Sequence, residues 1–572
     1  MMDTAWVPAS TWSTAVPDWK DRIRKKRSLI PDLPLYDAVA EKALRIFKRL
    51  RVPDIIGNPT YGEACDDWVF DFVRVIFGSY DPETKRRALR EFFLLVPKKN
   101  GKSSIAAAII ITAAIMNERP EAELLLIAPT KTIAEISFKQ AVGIIRLDNE
   151  LTKLFQPQDH IKKITNLRTL AIIQVKAAAA DVITGSKATY ILIDETHVFS
   201  TISKAADIFV EIRGSLAARP DGFLLQITTQ SKSPPAGVFK AELQKARDVR
   251  DGKFEFPMLA VLYELPAEDA VDGGWMRRET WGLVNPNLNR SVNEDYLAGE
   301  IATAQREGPE KLALIASQHF NVEVGLGLHA DRWPGATYWA DAVCDGMTLE
   351  TIIADCDVAV VGIDGGGLDD IMGLAVIGRH KSTRNWMLWV RAWAHTDVFE
   401  RRKEIAPRLR DFEKDGDLIV CSDDEGADQD ITEMADICER LLLAGLLPEK
   451  AAIGLDAYGV ASLLDALAER GMSGDLTMAV GQGWKLQSSI TTLPRKLKDR
   501  TLLHCGQPLM AWCVGNAKTE LRGSNYIVTK QAAGASKIDP LMAAFNAAML
   551  MFLNPEPSGT GMDDYFREMA GG

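Results

Sequence analysis

The sequence predicts an α/β protein of two successive domains, a parallel sheet covered by helices on both faces and then a mixed sheet. From residue 61 to 250, short apolar strands alternate with amphipathic helices, which is typical of a parallel sheet. Near residue 358, three strand-like runs follow one another with short turns, which favours antiparallel pairing. A chain of 572 residues is also too long for a single hydrophobic core.

The predicted domain boundaries follow these changes of pattern. They are an N-terminal extension (1–60), the first α/β domain (61–250), a linker or lid (251–345), the second α/β domain (346–554) and a flexible tail (555–572). The predicted strands are 92–96, 124–128, 190–193 and 223–227 in the first domain, and 358–363, 372–377 and 386–393 in the second. Helical patterns cover 293–317 and 431–447.

The composition excludes several classes of protein. The first 27 residues lack the apolar core of a signal peptide, and the longest apolar run, 105–116, is shorter than the roughly 20 residues of a membrane span. We therefore expect a soluble intracellular protein with no membrane partner. None of the seven cysteines forms a CxxC pair, which argues against a zinc site or a disulfide framework. A net charge of −11 excludes bulk coating of nucleic acid but permits local basic patches.

A candidate phosphate-binding loop follows the first predicted strand. The run VPKKNGKS leads from an apolar strand into an Ala- and Ile-rich helix, and it contains Lys98, Asn100, Gly101, Lys102 and Ser103. Backbone N–H groups at such a helix start hold phosphates, while the lysine reaches the β- and γ-phosphates and the serine ligates Mg²⁺. Val96 occupies the place of the usual first glycine, and a lone GKS also occurs by chance. The motif predicts an ATP site that needs independent support.

That support comes from an acid pair about ninety residues downstream. The strand YILI ends in Asp194 and Glu195, which places two carboxylates at the edge of the sheet where the phosphate loop lies. Asp194 would hold Mg²⁺, and Glu195 would polarise the attacking water. The alternative, a strand that ends in a solvated acidic turn, is weaker after a GKS at this distance.

A third strand of the first domain ends in polar residues. Thr228 and Thr229 begin the run TTQS, and such a strand end can sense the γ-phosphate and couple hydrolysis to movement. A simple polar strand terminus explains the run almost equally well. Arg213 and Arg219 lie nearby, but surface arginines on a helix are a commoner explanation than arginine fingers.

Three separated acids mark a second site in the second domain. Asp364 ends the strand VVGI, Asp456 ends the strand AIGL, and Asp539 precedes an apolar helix. Carboxylates beside buried sequence need compensation, and a pair of Mg²⁺ or Mn²⁺ ions provides it while clamping a phosphodiester. In an RNase H-like fold, the first strand, a middle strand and a late helix supply the acids in this order. The set predicts a metal-dependent nuclease.

Other residues could replace or assist these acids. Asp423, Asp424 and Asp428 also follow an apolar strand, and any of them could stand in for Asp456. Asp370 could add an outer carboxylate. Lys530 and Lys537 could hold the scissile phosphate or lie on the solvated surface, and His504 has the pattern of an ordinary polar residue.

Taken together, the motifs resemble one known family. PKKNGKS, ILIDE, TTQS, GIDGGGLDD, GLDAYG and KIDPLMAA, in this order and with Val480-Gly481-Gln482-Gly483 between the last two, resemble the large terminase subunit of tailed bacteriophages. The resemblance spans about residues 60–554. It implies a P-loop ATPase domain followed by an RNase H-like nuclease domain.

The resemblance also implies an activity, cofactors and partners. It implies ATP-driven movement of double-stranded DNA into a procapsid and cutting of concatemeric DNA, with ATP and Mg²⁺ at one site and two Mg²⁺ or Mn²⁺ ions at the other. It implies a small terminase subunit, a portal protein and a homo-oligomer, a pentamer on the portal vertex, in the host cytoplasm. Many members carry arginine at the place of Lys98, and lysine keeps the charge but not the bidentate geometry.

Two further interpretations stay open at this stage. One is a helicase-like ATPase fused to a resolvase-type nuclease, which would separate strands in repair or recombination. The other is a portal-docking structural protein with decayed sites, against which the intact motifs speak. DNA contacts could come from two basic clusters, at 401–403 and at 495–500, although solvated helix faces explain most such clusters.

Overall fold

The chain divides into two units, residues 1–324 and 325–572. The structure is a computed structural model, and it describes residues 12–178, 187–202, 204–323, 333–365, 370–403, 405–421, 428–456, 461–522, 525–529 and 537–558. Within these ranges no helix is long and apolar enough to cross a membrane. The predicted tail from 559 onward lies outside the described residues.

The first unit is built on an eight-stranded sheet. Its strands, with a small two-stranded sheet formed by the first two, are β1 (Tyr80–Asp81), β2 (Arg86–Arg87), β3 (Glu91–Leu95), β4 (Glu123–Ala128), β5 (Phe155–Gln158), β6 (Lys163–Asn166), β7 (Ile172–Ala177), β8 (Ala188–Asp194), β9 (Phe223–Thr228) and β10 (Met258–Leu262). The order is β10-β3-β9-β8-β4-β7-β6-β5. Six neighbouring strands, β10 to β7, are parallel, and β6 and β5 form an antiparallel edge.

Helices flank this sheet. They are Trp19–Arg24, Asp37–Arg49, Tyr61–Ala64, Asp67–Gly78, Lys102–Met116, Lys131–Arg146, Asn149–Leu154, Ala205–Ser215, Gly237–Arg250, Ala267–Ala270, Arg278–Val284, Glu294–Glu307 and Pro309–Phe320, with 3-10 turns at Thr196–Thr201 and Val271–Met276. The helix Lys102–Met116 is apolar all round and buried, as expected for a helix inside a large core.

Three features of the first unit differ from the sequence-based predictions. Strand β10 pairs with β3, so residues predicted as linker or lid complete the first sheet. The predicted helical stretch 293–317 is two helices, because Gly308 has φ +110° and Pro309 begins the second helix. The predicted N-terminal extension is part of the fold, since Trp19, Ile23 and Phe47 belong to the main hydrophobic core.

The second unit is built on a seven-stranded mixed sheet and a hairpin. Its strands are β11 (Cys356–Gly365), β12 (Ile371–His380), β13 (Trp386–His395), β14 (Leu418–Cys421), β15 (Ile453–Leu455), β16 (Thr477–Ala479), β17 (Leu502–His504), β18 (Lys518–Arg522) and β19 (Asn525–Thr529). The order is β14-β13-β12-β11-β15-β16, and β17 also pairs with β13. Strands β11 to β13 are antiparallel, and β15 and β16 continue the sheet in parallel.

The helices of the second unit pack on both faces of its sheet. They are Leu349–Asp355, Thr396–Arg401, Ala406–Lys414, Gln429–Leu443, Ala461–Glu469, Gln487–Lys498, Pro508–Asn516 and Asp539–Met551, with 3-10 turns at Pro334–Thr337, Ala340–Ala342, Gly474–Leu476 and Gly483–Leu486. The helix predicted at 431–447 ends at Leu443, shortly before Gly445, whose φ is +68°.

The last helix lies directly on the central strands. A Cβ atom added at Gly362 would lie 2.1 Å from the carbonyl oxygen of Ala543, and one at Gly373 would lie 2.7 Å from the Cα of Pro540. Glycine at these two positions therefore lets the helix Asp539–Met551 touch the backbone of β11 and β12. Three antiparallel strands, then parallel strands, then a late helix on the central strands form an RNase H-like fold. The predicted fold class is confirmed in both units.

Candidate active sites

The candidate phosphate loop connects β3 to the helix Lys102–Met116. Lys99 and Gly101 have positive φ values, +71° and +78°, and the helix begins at the next residue. The loop therefore ends at a helix N-terminus, where free backbone N–H groups attract anions. Lys102 is buried, and its Nζ donates to the carbonyl oxygen of Val96 at 3.3 Å. Burial lowers the pKa of Lys102, while the charges of Glu195 and Asp194 oppose that shift.

Asp194, at the end of β8, comes together with the start of this helix. Its Oδ2 accepts hydrogen bonds from Ser103 Oγ and from Ser137 Oγ, each at 2.9 Å. Only 2% of Asp194 is exposed, and its Oδ1 has no hydrogen-bond partner among the residues that the structure describes. Burial, together with the charge of Glu195, raises the pKa of Asp194 to about 6. A buried carboxylate with an unused oxygen beside a hydroxyl fits a divalent cation.

Glu195 has the opposite electrostatic character. Its Oε2 lies 3.1 Å from Nδ1 of His197. Burial would raise its pKa, but the contact with His197 and the charges of Lys102 and Lys98 lower the pKa to about 2. Glu195 also has φ +56°, a left-handed conformation that is strained for a residue with a side chain. The two neighbouring acids therefore have pKa values that their surroundings push apart, as acid–base sites require.

His197 connects Glu195 to the predicted coupling residues. Its backbone N–H donates to Thr228 Oγ1 at 2.9 Å, and its Nδ1 lies 3.3 Å from Thr228 Oγ1 and 3.4 Å from Thr229 Oγ1. Strand pairing also places Thr228 opposite Leu95, directly before the phosphate loop. His197 and Ser137 were missed in the sequence, because a histidine after an acid pair and a serine in an amphipathic helix carry no distinctive signal.

Asn100 shapes the loop through protein contacts. Its side-chain amide donates to the carbonyl oxygen of Pro97 at 3.1 Å and to Asn285 Oδ1 at 2.8 Å. Asn287 completes the arrangement, since its backbone N–H donates to Asn100 Oδ1 at 3.1 Å and its side chain donates to Asn100 O at 2.8 Å. Asn100 was predicted to bind ATP, whereas its side chain is used here to hold the loop in shape.

Lys98 is tied to another distant segment. Its backbone N–H donates to the carbonyl oxygen of Gln318 at 2.8 Å, and the side chain of Gln318 donates to the carbonyl oxygen of Gln230 at 2.7 Å. Residues 285–318 thus join the phosphate loop to the end of β9. Burial lowers the pKa of Lys98, and the charge of Glu195 opposes that shift.

The two candidate finger arginines lie elsewhere. Arg213 pairs with Glu91 at 2.9 Å and with Glu242 at 2.7 Å, and Glu91 begins β3, at the end of the strand opposite the loop. The contacts described for Arg219 include a hydrogen bond to the carbonyl oxygen of Ala218 at 3.2 Å. Arg213 is held within the fold by its two acids, which explains its position without a catalytic role.

The three candidate nuclease acids converge at one edge of the second sheet. Ile363 pairs with Leu455, so Asp364 and Asp456 follow on adjacent parallel strands at the same level. A Cβ atom added at Gly365 would lie 3.2 Å from Cβ of Asp539, which begins the last helix. Asp539 is fully buried and Asp364 nearly so. The topology therefore brings together three acids that are far apart in the sequence.

Two amides support this edge. Gln482 Nε2 donates to Asp364 Oδ1 at 3.1 Å and lies 3.4 Å from Asn546 Oδ1, while Asn546 Nδ2 donates to the carbonyl oxygen of Ile363 at 2.9 Å. Gln482 lies in the family-like segment 480–483, but its contact with Asp364 was not foreseen. Asn546 was missed because a polar residue inside an apolar helix gives no indication of which strand it faces.

The alternative residues have other surroundings. Lys537 Nζ lies 2.7 Å from Asp370 Oδ1, which joins the candidate phosphate-binding lysine to the candidate outer carboxylate. Asp428 precedes the helix Gln429–Leu443, whereas Asp423, Asp424 and Lys530 lie outside the described residues. His504 is buried, stacks on Trp339 with ring centroids 3.9 Å apart and contacts its carbonyl oxygen at 2.7 Å. It is a packing residue.

The carboxylates that the structure describes in the second unit do not form a complete metal cage by themselves. Within the described ranges, no group of three or more His, Cys, Asp or Glu side chains is close enough to hold a metal ion. Asp364 and Asp456 on neighbouring strands, with Asp539 beside them, fit shared coordination in which the substrate phosphate and water supply the remaining oxygens.

Comparison with known families decides the identity of the first unit. Residues 68–246 match the family "Terminase large subunit, ATPase domain". The first unit carries a terminase ATPase domain. The predicted resemblance to the large terminase subunit is thereby confirmed, together with its ATPase activity in phage DNA packaging, and no finding supports the helicase–resolvase alternative. As a terminase ATPase, the chain uses a nucleotide with a divalent metal ion and has DNA as a partner.

Several solved terminase structures are similar to the chain. The HK97 bacteriophage large terminase is 19% identical, covers 89% of this chain and 98% of its own, and has a TM-score of 0.46. The large terminase of a thermophilic bacteriophage in complex with ADP is 11% identical over 82% and 96%, with a TM-score of 0.30. The large terminase nuclease of the thermophilic phage G20c is 12% identical over 34% and 81%, with a TM-score of 0.23. These likenesses are too weak to carry an argument about function. No curated protein matches the chain.

Proposed function

We propose that this terminase subunit is a two-site motor that moves double-stranded DNA into a procapsid with ATP and cuts concatemeric DNA with its second unit. The observation that carries the nuclease half is the convergence of Asp364, Asp456 and Asp539 at one sheet edge. Carboxylates so placed attract divalent cations, which supply Lewis-acid activation of a phosphodiester and of the attacking water. Mg²⁺ and Mn²⁺ suit such an all-oxygen site.

The residues of the first unit have separate tasks in hydrolysis. Lys102 neutralises phosphate charge from a buried position, which strengthens its interaction with an anion. Ser103 and Asp194 would hold Mg²⁺, whose charge stabilises the ionised form of Asp194. Glu195 is ionised throughout the physiological range because its pKa is about 2, so it can orient and polarise the attacking water.

His197 gives the coupling proposal a physical path. It touches Glu195 on one side and Thr228 and Thr229 on the other, so a change at the catalytic carboxylate alters hydrogen bonds at the end of β9. We infer that this contact transmits the state of the nucleotide to the segment that follows Thr229. Lys98 assists from the loop as a positive charge near the γ-phosphate.

In the second unit, Asp364, Asp456 and Asp539 would share two Mg²⁺ or Mn²⁺ ions. Gln482 helps to fix the orientation of Asp364 by donating to its Oδ1, as residues behind a metal ligand commonly do. Lys537, in contact with Asp370, limits the negative charge at the mouth of the site.

The partners follow from the proposed task. A small terminase subunit would select the DNA, and a portal protein at the procapsid vertex would receive a ring of subunits, a pentamer. The chain would act in the host cytoplasm and transiently at the portal vertex. The net charge of −11 requires that DNA be held by local contacts.

The test is cleavage of a supercoiled plasmid by the purified protein with Mn²⁺ or Mg²⁺. We expect the wild-type protein to cleave, EDTA to stop cleavage, and both Asp364→Asn and Asp456→Asn to lower the rate at least about 100-fold, since one lost metal ligand removes several kcal/mol of charge stabilisation. Asp475→Asn is the matched control, because Asp475 is an exposed acid of the same unit. Equal cleavage by wild type and Asp456→Asn would remove Asp456 from the site.

A further inference from the structure

The segment that contacts Asp364 also carries an exposed aromatic residue. Gln482 donates to Asp364, and two residues later Trp484 has 63% of its surface exposed. Tryptophan is usually largely buried, so an indole left in water at the border of a site calls for an explanation. Leu486, at the end of the same 3-10 turn, is buried, so the turn is anchored while the indole faces solvent.

The surroundings of the indole place it close to the site. Lys485 Nζ lies 5.9 Å from the ring centroid of Trp484, and a Cβ atom added at Gly481 would lie 3.1 Å from the same Nζ. The lysine therefore folds back toward Gly481, next to Gln482. Two residues span at most about 7–8 Å between Cα atoms, so the indole lies within about three or four base steps of the carboxylate edge.

A second exposed aromatic residue lies on a neighbouring element. Strand β19 packs against the 3-10 turn Gly483–Leu486, and Tyr526 on this strand is 46% exposed. Thus two adjoining segments present an indole and a phenol ring to solvent beside the candidate nuclease site, with one lysine close to the indole. Aromatic faces interleaved with positive charge are typical of surfaces that bind single-stranded nucleic acid.

We propose that Trp484 and Tyr526 form a stacking surface for an unstacked nucleobase of the DNA strand held at the nuclease site. Bases inside an intact duplex stack on each other, so this surface would engage a base only where the duplex is frayed, nicked or cut. Lys485 would contact the adjoining phosphate. The inference rests on the proposed nuclease function and adds a preference for unpaired bases beside the scissile phosphate.

Binding of fluorescein-labelled oligothymidylate to the full chain, in Ca²⁺ buffer, tests the proposal. We expect Trp484→Ala and Tyr526→Ala each to weaken binding by about 5- to 100-fold, which is the usual effect of removing one base–aromatic stack. Trp484→Phe should retain part of the affinity. Leu443→Ala is the matched control, since Leu443 is an apolar side chain of the same unit with 80% exposure, and it should bind as the wild type does.

An abasic oligonucleotide separates stacking from charge. It keeps the phosphates, so wild type, Trp484→Ala and Tyr526→Ala should bind it equally weakly. Lys485→Ala should lower the slope of log affinity against log salt by about 0.7, whereas Trp484→Ala should leave that slope unchanged. In addition, oligonucleotides with 5-iodouracil should form photo-crosslinks that map to the peptides carrying Trp484 or Tyr526.

The outcomes distinguish this inference from the nuclease proposal. If both aromatic variants bind oligothymidylate like the wild type and no crosslink maps to either peptide, the stacking surface is refuted and the patch faces a protein partner instead. If the plasmid is cleaved normally while that happens, the nuclease proposal survives alone. If the plasmid is never cleaved but the aromatic variants lose oligonucleotide binding, stacking stands and the nuclease proposal fails.

Discussion

At the scale of single residues, the ATP site depends on two adjacent acids that differ in charge. Asp194 is buried beside hydroxyls, and its pKa is raised to about 6, whereas cationic neighbours hold the pKa of Glu195 at about 2. Before nucleotide and metal bind, an ionised Asp194 therefore costs folding free energy. The site is built for the bound state at the expense of the free one.

This cost gives a prediction for Asp194→Asn in nucleotide-free protein with EDTA. A raised pKa in the folded state means that stability is complete below the unfolded value near 4 and is lost as the pH rises through 6. The amide has no such loss, so the variant should be more stable than wild type by about 2–3 kcal/mol at pH 8 and nearly equal at pH 4. It should also lack ATPase activity.

Urea unfolding at the two pH values measures this difference. Asp207→Asn serves as the control, since Asp207 lies exposed on the helix Ala205–Ser215 and its substitution should change stability equally at both pH values. A variant that is less stable than wild type at pH 8 would show that the carboxylate is favourable in the free protein.

Residue-level prediction from the sequence succeeded where a motif fixes the spacing along the chain. Lys102, Ser103, Asp194 and Thr228 lie where the loop and strand patterns place them. Ser137 and Gln482 could not be found in this way, because their roles depend on which helix or loop packs beside an acid. Asn100 had the right location, but only the structure shows that its amide is taken up by Asn285 and Asn287.

At the scale of elements, the second site depends on how closely one helix approaches two strands. The helix Asp539–Met551 brings Asp539 to the edge where Asp364 and Asp456 end their strands. Gly362 permits that approach, because a Cβ atom there would lie 2.1 Å from the carbonyl oxygen of Ala543 and 2.3 Å from the backbone nitrogen of Ala547.

We therefore predict that Gly362→Ala displaces this helix. Overpacking against rigid backbone costs about 1–3 kcal/mol or more, and a shift of Asp539 should lower plasmid cleavage at least about tenfold. ATP hydrolysis should be unchanged, since Gly362 belongs to the second unit. Gly299→Ala in the helix Glu294–Glu307 is the control, because no atom lies within 4 Å of the added Cβ. Wild-type cleavage by Gly362→Ala would show that the helix can move without cost.

Elements were predictable where apolar runs are continuous and less so where single residues interrupt them. Strands β3, β4, β8 and β9 and the three antiparallel strands of the second sheet agree with the pattern within a few residues at each end. The break at Gly308 was missed, because one glycine before a proline interrupts a helical pattern without changing its polarity. Strand β10 was missed because five apolar residues after a helix indicate neither the sheet nor the edge they join.

At the scale of the whole molecule, the first sixty residues are a structural part of the ATPase unit. The backbone N–H of Val16 donates to the carbonyl oxygen of Arg250 at 2.6 Å, and the Arg250 guanidinium lies 3.8 Å from the ring centroid of Trp19. Phe47 is fully buried in the core that also contains β3 residues. The segment thus covers apolar surface that the predicted first domain would otherwise expose to water.

Two fragments test this integration. The fragment 1–324 should unfold cooperatively and bind ATP, since the unit has hydrophobic cores of its own. The fragment 61–324 should be unfolded or aggregated, because loss of buried Trp19 and Phe47 alone removes about 3–5 kcal/mol each from a total of about 5–15. Circular dichroism melting of both fragments provides the measurement, and a stable 61–324 would show that the segment is a true extension.

The contacts of Asn100 also set when the motor can first work during synthesis. A nascent chain that has emerged as far as residue 250 contains every ATP-site residue predicted from the sequence, yet Asn285, Asn287 and Gln318 are still inside or beyond the ribosome. The phosphate loop keeps its shape only after these late residues arrive and close long loops, a step that is entropically costly and slow. Translation thereby delays nucleotide capture until the ATPase unit is nearly complete, and unfinished chains do not waste ATP.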